Sequence, residues 1–282
     1  MTTPLDRIGF MQGRLSAMVD GKIQAFPWDE WREEFPRAKA LDLTRMEWTI
    51  DQDRLRENPL TTEAGQTEIR DLSHQNALRI SSLTGDCFMQ APFWKTNGNA
   101  QQALIADLDL LLASCSTLGA EFVVIPLVDN GKIEKPEQEE ALIRVLLARS
   151  ASLSKQGLKI VFESDLPPAG LAQFIAKLPA EVFGINYDIG NSASLGYDSA
   201  EEIAAYAPRI LNVHVKDRLR GGTTVPLGSG AAELGKAIRL IERSGYGGQY
   251  ILQTARAADG DHAGALAKYR DMTVRWLEDA RR

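Results

Sequence analysis

The chain has 282 residues, 44% apolar and 25% charged, which is the balance of an ordinary globular protein and excludes a disordered chain, a collagen or a disulfide scaffold. With 32 Lys+Arg against 38 Asp+Glu the formal charge is −6, which argues against a protein whose main partner is a nucleic-acid phosphate backbone. No stretch approaches the ~20 apolar residues of a membrane span, so no membrane partner is expected. The opening MTTPLDRIGF has no signal-peptide pattern. Cys87 and Cys115 are too few for a framework and lack CxxC spacing, which points to a reducing cytoplasm.

Short apolar, β-branched runs follow one another along the chain: RIGFM (7–11), TRMEWTI (44–50), RISSLTG (79–85), EFVVIPL (121–127), KIVFES (159–164), FGINYDI (183–189), ILNVHVK (210–216) and QYILQT (249–254). Their unbroken apolar character suits strands covered on both faces, as in a parallel sheet. Helical patterns lie between them. Residues 101–118 space apolar residues by three and four and stop at Gly119. Residues 136–156 open with Pro136 and acidic residues and stop at Gly157; residues 232–244 stop before Gly245, and residues 262–281 close the chain.

Eight strand–helix units predict an α/β fold, a (β/α)₈ barrel occupying 1–282 as one domain. An open doubly wound sheet is the alternative, but no early GxGxxG turn opens a helix, and the late GSG (228–230) is too weak a signal for dinucleotide binding. Two long segments, 12–28 and 86–98, read as loops after the first and third strands, where this fold builds its site. Trp28, Phe88, Phe93 and Trp94 in them either stack on a substrate face or pack a lid.

The chemistry gathers at strand ends. Glu163 ends the fifth strand, Asp188 the sixth, His214 the seventh and Gln253 the eighth. Closed into a barrel, these ends stand side by side around one mouth. An oxygen-rich set with one imidazole suits a divalent cation such as Mn²⁺, Mg²⁺ or Co²⁺, with Zn²⁺ also admitted. The plainer alternative is a set of helix caps and salt-bridge partners. Cations collect at the same mouth: Arg14 after the first strand, Lys216 and Arg218 after the seventh, Arg256 after the eighth. Guanidinium forks grip carboxylate or phosphate, which suggests an anionic substrate. The alternative is surface charge paired with neighbours such as Asp217 or Asp259. Glu47, in the second strand, is expected to reach the mouth as a substrate contact, and Trp94 to wall it.

The opening IGFMQGRLS, then IQAFPWDEWREEF, MEW and later HVKD resemble the xylose isomerase-like barrel family, from the first strand to the last helix. That family holds sugar and sugar-phosphate isomerases and epimerases, dehydratases of related polyols, and endonuclease IV. The resemblance implies a divalent metal held by Glu163, Asp188 and His214, with Gln253 standing where the family has Glu. It also places Asn191 where many members have His. Family epimerases use two glutamates on opposite faces of a substrate carbon, and Gln253 cannot act as a base. The expected function is therefore metal-dependent isomerisation of a small sugar or sugar phosphate through an enediolate. Glu163 and Lys216 are its expected catalytic residues, and Arg14, Glu47, Trp94, Arg218 and Arg256 its substrate contacts. A lyase or dehydratase, a non-catalytic sugar-binding relic and an endonuclease IV-like DNA-repair enzyme are the alternatives. Three histidines are few for the last. The oligomeric state, homo-oligomer included, stays open.

Overall fold

The structure, a computed structural model, describes residues 3–282. Met1 and Thr2, the first residues of the expected 1–282 unit, lie outside the described residues. The strands are β1 (Ile8–Met11), β2 (Arg45–Ile50), β3 (Arg79–Gly85), β4 (Phe122–Leu127), β5 (Lys159–Ser164), β6 (Phe183–Asp188), β7 (Ile210–Val215), β8 (Asp217–Arg218), β9 (Thr224–Val225) and β10 (Gln249–Leu252). Eight of them close into a parallel barrel in the order β1-β10-β7-β6-β5-β4-β3-β2, and β8 and β9 form a separate antiparallel hairpin beyond its rim. The barrel, not the open sheet, is the fold.

The helices are α1 (Glu34–Ala40), α2 (Glu63–Asn76), α3 (Asp86–Gln90), α4 (Gly98–Leu118), α5 (Pro136–Leu147), α6 (Ser150–Gln156), α7 (Pro168–Ala176), α8 (Ile189–Leu195), α9 (Ser199–Tyr206), α10 (Leu234–Arg243) and α11 (His262–Ala280). Among the described residues no helix is long and apolar enough to cross a membrane. Two elements depart from expectation. The helix read over 136–156 breaks between α5 and α6. There the Arg149 guanidinium takes the Val145 carbonyl, and the Arg149 amide turns to Leu146 instead. The segment 86–98 is not all loop, because Asp86 starts α3 directly after β3.

Strand alternation divides the packing. On β2, Trp48 faces outward against Phe26 and Trp31, with ring centroids 5.4 and 5.6 Å away, and its indole N–H donates to Asn58. Glu47, its neighbour, faces the barrel interior. The pairing of β2 with β3 slips between Met46 and Glu47, and that of β6 with β7 slips between Ile185 and Asn186. Both irregularities sit where a polar side chain enters the barrel, which is where such irregularities re-aim side chains.

Candidate active site

The deepest layer of the barrel is polar. Gln249 donates to Ser82 and Asn212 at 3.1 and 3.0 Å, while Ser82 and Asn212 both donate to Glu47, at 2.7 and 2.9 Å. These four side chains close a ring. The other Glu47 oxygen accepts from Thr84 and meets His214 Nε2 at 2.7 Å. Burial works against the Glu47 carboxylate, yet the His214 charge and the hydroxyl donors hold it below the usual range.

Above this floor stand the strand-end groups. Glu163, Asp188 and His214 each offer a ligand atom, all within 4.8 Å of one another. His214 Nδ1 lies 3.2 Å from Glu163 and 3.9 Å from Asp188. Glu47 on Nε2 leaves Nδ1 as the atom turned to the carboxylates, the arrangement in which a carboxylate orients a metal-binding imidazole. Burial alone would lower the His214 pKa, but Glu47 and Glu163 push it up to about 10. Asn186 and Asn191 donate to the two Glu163 oxygens at 3.1 and 2.5 Å. Asp188 also caps α8 through the Asn191 amide at 2.8 Å. Lys216 Nζ lies 3.3 Å from both Asp188 Oδ2 and Gln253 Oε1, and Gln253 Nε2 donates to Gln24 at 2.8 Å. Two buried carboxylates beside one imidazole nitrogen form a donor set that a hard or borderline divalent cation fits. Gln253 adds a neutral carbonyl oxygen within the same array.

These groups open on a cavity of about 470 Å³ at the C-terminal mouth, lined among others by Glu163, Lys216, Arg218, Gln253, Lys132 and Asp86. A wider surface groove of about 810 Å³, between α5 and α7, lies away from this mouth. Lys132, paired with Asp165 at 2.7 Å, and Asp86 were not singled out in the sequence. Asp86 follows β3 directly but opens α3, as many aspartates do, and Lys132 lies five residues past its strand, so neither stands out as Glu163 does at the end of β5.

The other expected contacts lie elsewhere. Glu47 is fully buried, and its carboxylate is committed to the floor and to His214, so it faces no substrate. Trp94 is buried edge-on against Phe93 outside the cavity. Arg14 donates to the carbonyls of Thr254 and Ile23 and to Gln24, and Arg256 to the Ser16 carbonyl. Both guanidiniums therefore tie the first loop to the last instead of lining the mouth. Burial and the neighbouring Arg256 charge push the Arg14 pKa down. Arg218 does line the mouth, with Asn191 accepting from it at 2.9 Å. The GSG loop is spent on protein: Asp217 accepts from the amides of Gly228 and Gly230 at 2.9 Å, and a Cβ on Gly230 would stand 2.2 Å from that carboxylate.

Glu34 anchors the first loop by accepting from the Gly13 and Leu15 amides at 2.9 and 2.8 Å. Burial pushes its pKa up to about 7, against those hydrogen bonds and the charges of Arg256 and Arg14. A carboxyl raised in the folded state stabilises fully below its unfolded pKa, and that contribution is lost as pH rises through the folded value. Glu34 thus contributes a fall in stability from about pH 4.5 to about pH 7. Urea unfolding at pH 5 and pH 7.5 is expected to show a smaller drop for Glu34→Gln than for the native chain; an equal drop would contradict it.

The family model described as xylose isomerase-like TIM barrel matches residues 35–278. L-ribulose-5-phosphate 3-epimerase UlaE of Escherichia coli is 33% identical over 90 residues, 32% of each chain. The chain therefore spans about a third of the length of the curated relatives it matches. A xylose isomerase-like barrel protein of Mycobacterium smegmatis, solved in complex with magnesium, superposes with a TM-score of 0.71 at 18% identity, covering 99% of both chains. A D-psicose 3-epimerase solved in the presence of D-fructose does so at 0.71 and 11% identity, covering 98% of both.

Proposed function

This chain belongs to the xylose isomerase-like TIM barrel family, and we propose that it is a divalent-metal-dependent isomerase or epimerase of a small ketose or ketose phosphate. The observation that carries this reading is the convergence of ligand atoms of Glu163, Asp188 and His214 within 4.8 Å of one another, with Glu163 lining the cavity at the C-terminal mouth. The relatives support the substrate class, since one is named for a ketose phosphate and another was solved with a ketose. Cys87 and Cys115, both buried and unpaired, suit the reducing cytoplasm we propose for it.

Glu163, Asp188 and His214 would hold the cation, Mn²⁺, Mg²⁺, Co²⁺ or Zn²⁺, with Gln253 Oε1 beside them. Bound there, it would polarise the substrate carbonyl. The chain's own groups do the rest. Glu163 takes the proton from the carbon next to the carbonyl, leaving an enediolate, and returns a proton to complete the isomerisation. Asn186 and Asn191 fix the Glu163 carboxylate in one orientation. Lys216, held between Asp188 and Gln253, sets a positive charge beside the developing enediolate oxygens. Arg218 and Lys132 stand on the cavity wall where a phosphate or the far hydroxyls would lie.

The test is a panel of ketopentoses, ketohexoses and their phosphates, assayed before and after chelation. Chelation is expected to lower turnover by about 100-fold or more, the several kcal/mol that carbonyl polarisation supplies, with recovery on adding Mn²⁺ or Mg²⁺. Titration calorimetry on the chelated protein should detect binding of the metal alone, weakened in Asp188→Asn. Unchanged turnover after chelation would refute the metal, and inert behaviour toward the whole panel would refute the activity.

A further inference from the structure

The eighth-strand position poses a chemical problem. Gln253 accepts from Lys216, donates to Gln24 and has no proton to trade near neutral pH. The hydrogen bonds lead onward, because Gln24 Nε2 donates at 2.7 Å to Asp86 Oδ2. Asp86 therefore lies one side chain away from where a strand-end carboxylate on β10 would stand. It starts α3 at the end of β3 and lines the same cavity as Glu163, Lys216 and Gln253.

We propose that Asp86 is a second proton-transferring group of this site, serving the face of the substrate carbon opposite to Glu163. The inference rests on the isomerase/epimerase reading above and deepens it to epimerisation by two carboxyls. Three observations carry it. The Asp86 side chain is in the cavity wall but only 7% exposed. The Gln24 bond engages Oδ2 alone. No salt bridge neutralises Asp86 among the described residues, whereas Asp188 is paired with Lys216 and Glu163 faces His214.

A buried carboxyl with one neutral donor favours its protonated form. Burial accordingly pushes Asp86 up to about 7, against the Gln24 hydrogen bond and with the charges of Asp51 and Glu163 adding to the rise; Lys216 opposes it. Glu163, in the same cavity, accepts from both Asn186 and Asn191 and faces His214, so the two carboxyls sit in unlike settings, one suited to give a proton and one to take it.

The step balances. Glu163 removes the proton; the C–H pair becomes the enediolate C=C bond, and the carbonyl π pair moves to oxygen. The Asp86 O–H proton then adds to the same carbon from the other side, the C=C pair forms the new C–H bond, and the carbonyl re-forms. Glu163 is left protonated and Asp86 ionised, and exchange with water resets both.

The test runs the ketose and ketose-phosphate panel in D₂O with the native chain, Asp86→Asn and Glu163→Gln. The native chain is expected to form the epimer with solvent deuterium at the reacting carbon. Asp86→Asn should lose epimer formation by about 10²–10⁴-fold while keeping exchange at that carbon within about tenfold of native. Glu163→Gln should lose both. Asn keeps an acceptor for Gln24, and Asp86→Ser repeats the test if the amide variant does not fold. Epimer formation by Asp86→Asn within tenfold of native overturns the proposal. So does a joint loss of exchange and product in that variant. A native chain that only moves hydrogen between adjacent carbons overturns it and leaves the isomerase reading standing. A native chain inert toward the whole panel overturns both.

Discussion

Assayed at saturating metal, Glu163→Gln is expected to lower kcat by about 10²–10⁴-fold, the range for removing a positioned general base. The substitution is close to isosteric, so the cavity keeps its shape. The chemistry does not survive it. Asn191 and Asn186 donate to separate oxygens of Glu163. A glutamine must present its NH₂ to one of them, setting donor against donor, while its carbonyl cannot accept the substrate proton. Leaving one buried donor unpaired costs about 1–3 kcal/mol. The variant should therefore melt earlier yet remain folded by circular dichroism. Steady-state kinetics on the best panel substrate decides the matter; kcat within tenfold of native would remove Glu163 from the proton transfer.

Glu47→Gln is expected to carry the largest effect on stability, about 3–5 kcal/mol, the range for breaking a buried charged pair by removing one partner. All four groups around Glu47 face it as donors: Ser82 and Asn212 on one oxygen, Thr84 and His214 on the other. An amide can accept on one side only. The His214 ring would lose the carboxylate that orients Nδ1 toward Glu163 and Asp188, and metal affinity should fall by about 10–100-fold. Denaturant unfolding of the chelated protein measures the first effect and calorimetric titration of metal the second. Native-like values in both would show that the barrel floor does not hold the imidazole.

Much of the scaffold can be read from the chain because a two-sided strand leaves an uninterrupted apolar run, and because Gly119 and Gly157, at φ +72° and +67°, stop their helices where the pattern stops. Glu163, Asp188, His214 and Gln253 stand out for the same reason, as polar residues at the end of such runs. What a sequence does not display is the partner a side chain chooses. Arg14 and Arg256 sit at the right ends of the right strands, but each is committed to backbone carbonyls of the neighbouring loops. Glu47 and Trp48 are adjacent and point to opposite sides of β2, and only the barrel's closure turns Glu47 toward His214. Asp86 looks like an ordinary helix-opening aspartate until the first loop brings Gln24 across to it.

The ring of Gln249, Ser82, Glu47 and Asn212 constrains how this sequence can change over time. Each member both fixes its neighbours and depends on them, so a single replacement takes a hydrogen bond from each of two buried neighbours. Contacting residues of this kind couple by about 0.5–3 kcal/mol, so the effects of double replacements are not the sum of the single ones. Viable variation at positions 47, 82, 212 and 249 should therefore arise in matched sets. A combinatorial library at the four sites should return correlated solutions.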